Sequence, residues 1–442
     1  MIFVQSRLSK WRRVLFAPLL RFLQKFNLLT WTFLAFTVGG TAARVLELIS
    51  GIVIIRSVSP VDYATYGIMV ATAPIFSMIL LSGILPVLWT HVSRREGAEY
   101  VLAARSAAES SLYSQNWWVV CIGTAAVIVL LTRVAEGPID IALGTLAVLA
   151  MSVITAQQAI NDASLQLLQK QGIVTIGALG QSLIRLAALP LLSFHNHAVA
   201  LMLAAAIFAA FLNCVYCRHM LGDSIANPND SHCPAFASEV SRMRRRSLAT
   251  DAFQALSGQY YYWLLAFFAG PVALAGFAAL TRLSQVLFPL ALLFRGYFVP
   301  GFAKLESGVS IAKYFLALLG CAALLILPVA SIPLLWPAHV LQVLGPNYLE
   351  LTAPLMVYSA GMLFWITADL ADQLLRSRGY FQSPMIGIAL DCIALAAPAL
   401  LASEITVYVA FICFLSLSLM RLARLTALAA LSFRPTIKVQ GS

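Results

Sequence analysis

Twelve apolar stretches, each about as long as a bilayer is thick, decide what this chain can become. About 20 apolar residues cross a membrane as a helix. Runs of that order recur at 29–55, 66–90, 114–132, 140–160, 172–194, 198–217, 250–269, 273–299, 313–335, 352–374, 383–402 and 405–425. Lipid offers no hydrogen-bond partner, so backbone groups in such runs must pair within their own segment, which predicts helices. Charge is correspondingly scarce: 11% of the 442 residues, against 61% hydrophobic, where a soluble domain has about 25% charged. The expected fold class is an all-α polytopic membrane protein. Gly39–Gly40, Pro289 and Pro300 mark the places where a helix is expected to bend.

Basic residues set the orientation, because Lys and Arg are retained on the cytoplasmic side. Of the 29 Lys and Arg residues, only Arg56 and Arg133 fall on outer segments when both termini are inside. Arg44, Arg185, Arg282 and Arg295 lie within spans, and the other 23 are on inner segments. This asymmetry accounts for the net charge of +11 without any nucleic acid. The longest inner segment separates two sets of six spans. The expected organisation is a basic amphipathic arm at 1–27, a six-helix bundle at 28–217, a basic linker at 218–249, a second bundle at 250–425 and a cytoplasmic tail at 426–442. The first 27 residues carry basic groups throughout, unlike a cleavable signal peptide. Seven irregularly spaced cysteines predict no disulfide framework.

The halves resemble each other at their first hairpins. Ser59-Pro60-Val61-Asp62-Tyr63-Ala64-Thr65-Tyr66 aligns without gaps on Gly270-Pro271-Val272-Ala273-Leu274-Ala275-Gly276-Phe277. Each octapeptide follows the first span of its half. The pattern predicts parallel repeats about a pseudo-twofold axis along the membrane normal, an arrangement that puts the substrate between the halves.

The run Arg56-x-x-Ser59-Pro60-x-x-Tyr63-x-x-Tyr66-Gly67 resembles the first-hairpin signature of bacterial polysaccharide flippases of the Wzx type. These belong to the polysaccharide transporter family of the multidrug/oligosaccharidyl-lipid/polysaccharide exporter superfamily. Gly276 through Gln285, Phe288-Pro289 to Val299-Pro300, and Val343-Leu344-Gly345-Pro346-Asn347-Tyr348 resemble its C-terminal half. Ala64 departs from the pattern, where glycine is frequent. The resemblance implies two six-helix bundles around a central cavity. The implied activity is flipping an undecaprenyl-pyrophosphate-linked oligosaccharide across the bacterial inner membrane for O-antigen, capsule or exopolysaccharide assembly.

Charges at membrane depth are costly and mark pathways. Arg44 sits twelve residues before Arg56, about 18 Å along a helix, too far for easy snorkelling. Arg44 and Arg282, with Arg185 and Arg295, are the candidate substrate-binding cations, since a guanidinium keeps its charge and grips phosphate bidentately. The structural alternative pairs Arg44 with Glu47 three residues on. Glu47, Asp391 and Asp369 are the candidate coupling acids for H+ or Na+, no other cofactor being expected. Asp369 and Asp372 can instead pair with Arg376, and Asp251 can cap the seventh span. Tyr260 and Tyr261 are candidates for stacking on sugars, against ordinary packing. Cys214-x-x-Cys217 with His232-Cys233 lacks the turn of a zinc knuckle, so no metal site is expected.

The leading functional reading is a non-enzymatic flippase, its partners the lipid-linked substrate, the membrane and other glycan-assembly proteins. The alternatives are an ion-coupled small-molecule or drug antiporter of the same superfamily, and a non-transporting scaffold of a glycan-assembly complex. Intramembrane arginines argue against an organic-cation cargo. The absence of a large outer loop with an acidic motif, or of a nucleotide-sugar domain, argues against a glycosyltransferase.

Overall fold

A computed structural model describes residues 31–92, 98–114, 117–133, 137–168, 170–193, 198–222, 234–294, 310–378 and 384–433, with Val299, Phe302 and Tyr380. The amphipathic arm, Arg295, Pro300 and the His232–Cys233 pair lie outside these residues. The described chain is α-helical and contains no strand. Nine of its helices are long and apolar enough to cross a membrane, and Val120–Leu131 and Met385–Leu401 are shorter apolar helices. Large apolar side chains such as Ile122, Phe208, Leu324 and Leu400 stand exposed on the outside, as a lipid-facing surface requires.

The first half comprises α1 (Trp31–Ser57), α2 (Pro60–Leu80), α3 (Ile84–Val92), α4 (Ala98–Ser114), α5 (Trp117–Leu131), α6 (Pro138–Leu167), α7 (Gln171–Ala187) and α8 (Ala198–Leu221). The second comprises α9 (Pro234–Phe268), α10 (Gly270–Arg282), α11 (Phe288–Leu293), α12 (Ser310–Leu335), α13 (Pro337–Leu344), α14 (Thr352–Ser377), α15 (Pro384–Leu401) and α16 (Val407–Ser432). Ser59 starts α2: its Oγ accepts from the Asp62 N–H at 3.1 Å and donates to the Asp62 carboxylate at 2.7 Å, with Pro60 in the first turn.

Helix pairing repeats between the halves. In the first, α1 packs on α7, α5 on α6, α6 on α8 and α7 on α8. In the second, α9 packs on α15, α12 on α14, α14 on α16 and α15 on α16. The contacts between halves are reciprocal: α2 meets α9, α1 meets α10, and α2 meets α10. A twofold relation requires equivalent residues to touch at the axis. Gly67 and Ala278 have the same offset as the aligned hairpins, and a Cβ on Gly67 would lie 3.0 Å from that of Ala278. Gly67→Leu is therefore expected to prop the halves apart and cost about 1–3 kcal/mol, read as a lowered thermal midpoint in detergent.

Three local expectations change. The first helix runs through Gly39–Gly40 unbroken; the missing side chain at Gly39 instead admits the Thr175 methyl of α7. The second span breaks at residues 81–83, where Gly83 adopts φ +76° and the backbone of Arg244 closes against it. Asp251 does not cap the seventh span, because α9 begins sixteen residues earlier, at Pro234, inside the segment read as linker. Its carboxylate instead accepts from Ser82 Oγ at 2.6 Å, tying α9 to the Gly83 turn. The eighth span gives way to a 3-10 segment at Leu283–Leu287, just before Pro289, which lacks the N–H needed to continue the helix ladder.

Polar side chains join the first bundle where apolar packing offers no preference over lipid. Ser77 Oγ donates to the Ser152 carbonyl at 2.8 Å and Ser152 Oγ to the Ala73 carbonyl at 3.1 Å, a reciprocal bridge between α2 and α6. The second bundle is centred on rings: Phe277 stacks on Phe411 at 4.7 Å and on Tyr261 at 5.7 Å.

Candidate functional site

A small cavity lies where helices of the two halves meet. It is lined from α1 by Glu47, Ser50, Gly51 and Ile54, from α2 by Tyr66, from α7 by Arg185, from α8 by Met202 and Ala206, and from α10 by Arg282. Glu47 organises its charge. One carboxylate oxygen accepts from Arg44 at 2.8 Å, the other from Arg185 at 3.1 Å. Arg44 also stacks over the Phe288 ring of α11 at 5.6 Å and stays 44% exposed. The Arg185 Nε is buried without a hydrogen-bond partner.

Arg282 is the second half's contribution. Its stem lies against Gly51, where a Cβ would sit 3.7 Å from Arg282 Cδ. Its guanidinium forms no ion pair among the described residues and shares its surroundings with Glu47, Tyr63, Tyr66 and Tyr262. The Tyr63 hydroxyl is buried without a hydrogen-bond partner. Two guanidinium groups thus share one carboxylate and a third stands nearby, a local excess of two positive charges with N–H donors to spare. Such a site can hold an anion with several oxygens, phosphate above all.

The sequence candidates divide. Arg44, Arg185, Arg282 and Glu47 come together. Tyr260 and Tyr261 do not join them: Tyr261 is 3% exposed among Phe277, Phe414 and Tyr260 in the second bundle. Helical rotation carries the next residue, Tyr262, to the other side, where its hydroxyl meets Thr281 Oγ1 at 3.1 Å beside Arg282. Tyr63 and Tyr66 are the tyrosines sequence reasoning missed, and their three-residue spacing on one helical face was the available signal.

Asp391 lies in a different place. It is 3% exposed, 3.0 Å from Arg424 and 3.4 Å from Arg421, and Arg421 covers the Trp365 ring at 4.8 Å. Asp369 accepts from Gln373 at 2.7 Å, while Asp372 pairs with Arg376 at 2.8 Å. Both lie on α14, away from the cavity lining. Cys214 and Cys217 are on α8, and no group of three metal-binding side chains occurs among the described residues.

No protein-family model and no curated protein sequence matches this chain. Solved structures do match in fold. A lipid II flippase MurJ, in an inward closed conformation, superposes with TM-score 0.67 at 11% identity, over 89% of this chain and 86% of its own. An inward-facing multidrug resistance MATE transporter of the MOP superfamily gives TM-score 0.60 at 11% identity, over 88% and 96%. A MOP-superfamily transporter from Pyrococcus furiosus, described as having a binding pocket of reversed polarity, gives 0.59 at 10% identity, over 90% and 92%. With its apolar helices and recurring helix pairs, the chain is a multi-pass membrane protein with the fold of MOP-superfamily transporters.

Proposed function

We propose that this protein carries a lipid-linked oligosaccharide across the bacterial inner membrane, taking the pyrophosphate head group in the arginine cavity. The observation that carries the reading is the cluster of Arg44, Arg185 and Arg282 around the single carboxylate of Glu47. A pyrophosphate diester has two negative charges, matching the excess of two positive charges. The cavity is too small for an oligosaccharide, so alternating access would have to part the halves, residues 28–217 from 250–425, along the α1–α10 and α2–α9 contacts. The similar structure of a lipid II flippase supports a lipid-linked cargo, the sequence resemblance supports surface-glycan assembly, and the asymmetry of basic residues supports cytoplasmic termini.

The double variant Arg44→Ala/Arg282→Ala tests this. In a strain lacking the chromosomal copy, surface glycan is expected to disappear while the variant remains in the membrane at wild-type level. Full restoration of glycan would overturn the cavity assignment.

Drug export is the second reading, favoured by the MATE-like fold alone. The excess of positive charge disfavours organic cations there. Resistance to cationic drugs on overproduction would reverse the preference.

A further inference from the structure

Several acids within the described membrane helices have a cation close by. Glu47 has Arg44 and Arg185, Glu109 has Arg105 at 2.8 Å, and Asp391 has Arg421 and Arg424. Asp162, on α6, has no ion pair among the described residues. Its carboxylate accepts from the Cys217 thiol at 3.7 Å and from Gln158. An unpaired carboxylate within a membrane helix is costly, and a bound cation removes the cost.

The charged groups on the surrounding helices are committed or distant. On α4, Arg105 is held by Glu109 and by Asn161 at 3.0 Å. On α8, Arg218 and His219 are exposed, and Cys214, Cys217 and the half-buried Tyr216 also face this region. Lys170, ahead of α7, is exposed. Asp62 on α2 stands at the opposite end of the bundle, bonded to Ser59. The described side chains of α3 and α5 facing α6 carry no charge.

A chain of polar side chains leads from Asp162 toward the cavity. Cys217 lies 3.4 Å from Asn213 Oδ1 one turn along α8. Asn213 donates to Gln181 Oε1 at 3.0 Å, and Gln158 donates to the same atom at 3.4 Å. The glycine at Gly177 leaves the space that Asn213 occupies against α7. Gln181 is one turn from Arg185, about 6 Å along the helix, and Arg185 holds Glu47.

We infer that Asp162 is a proton-binding site built into the first bundle and linked through α7 to the arginine cavity. Proton uptake neutralises an acid that no arginine compensates. It also changes what Cys217 and Gln158 can donate to, and hence how α6, α7 and α8 hold Arg185. The link to transport rests on the function proposed above, whereas the proton site does not.

Infrared difference spectra of the full-length protein in lipid nanodiscs, titrated between about pH 5 and pH 8, test the site directly. A protonated-carboxyl band is expected to grow as pH falls, to vanish in Asp162→Asn, and to return at a shifted frequency in Asp162→Glu, which shows that the site remains intact. A band unchanged in Asp162→Asn overturns the inference. So does suppression of the band by sodium but not choline at fixed pH, which would assign the site to a metal cation.

Calorimetry with inorganic pyrophosphate tests the link. Wild-type affinity is expected to vary with pH about fivefold more than that of Asp162→Asn, and equal pH dependence overturns the coupling. Failure of pyrophosphate to bind at all would count against the cavity reading and leave the infrared result standing.

Discussion

Asp391→Asn is expected to destabilise the second bundle by about 3–5 kcal/mol, the usual cost of leaving buried charge without its partner. The aspartate is 3% exposed and is the carboxylate shared by Arg421 and Arg424. Arg424 also donates to the Gly387 carbonyl at 2.6 Å, and its Nε has no hydrogen-bond partner. Arg421 keeps the Trp365 ring after the change, so Arg424 bears most of the loss. The variant should therefore unfold at a markedly lower temperature in detergent. Adding Arg424→Gln should recover part of the loss, because removing both members of a buried pair is cheaper than removing one. A melting curve unchanged by Asp391→Asn would show that the cluster does not hold α15 to α16.

Arg282→Ala is expected to weaken binding of inorganic pyrophosphate about 10–100-fold, while the thermal midpoint stays near wild type. Hydrogen bonds to charged groups contribute about 1.5–3 kcal/mol. Arg282 forms no ion pair among the described residues, so its removal orphans no acid. Glu47→Gln supplies the opposite sign: it frees Arg44 and Arg185 from their shared carboxylate, and pyrophosphate should bind more tightly. Calorimetry on both variants checks the pair. Weakening by Glu47→Gln, or no effect of Arg282→Ala, would show that the guanidinium groups are structural ties rather than an anion site.

Much of this was legible before any coordinates. Long apolar runs specify membrane helices, because leaving backbone groups unpaired in lipid costs more than any local preference returns. The hairpin repeat pointed to two related halves, and the recurring helix pairs agree with it. The Arg44–Glu47 pair was visible as a three-residue spacing along one helix. Asp162 was passed over because the apolar run around it ended two residues earlier in the sequence, whereas α6 continues to Leu167.

What only the tertiary structure decided is which charges share a site. Glu47 and Arg185 are 138 residues apart, and their contact depends on the packing of α1 against α7. Arg282 reaches the same cavity because α10 crosses α1 beside Gly51. The repeat itself is silent on this. At its offset of 211 residues, Arg44, Glu47, Tyr63 and Ala71 correspond to Ala255, Gly258, Leu274 and Arg282, so the duplicated scaffold carries its charges asymmetrically. Periodicity and hydropathy are properties of one helix at a time, and they determined the spans. Electrostatic neighbourhood is a property of several helices packed together, and that packing turned isolated arginines into a cavity.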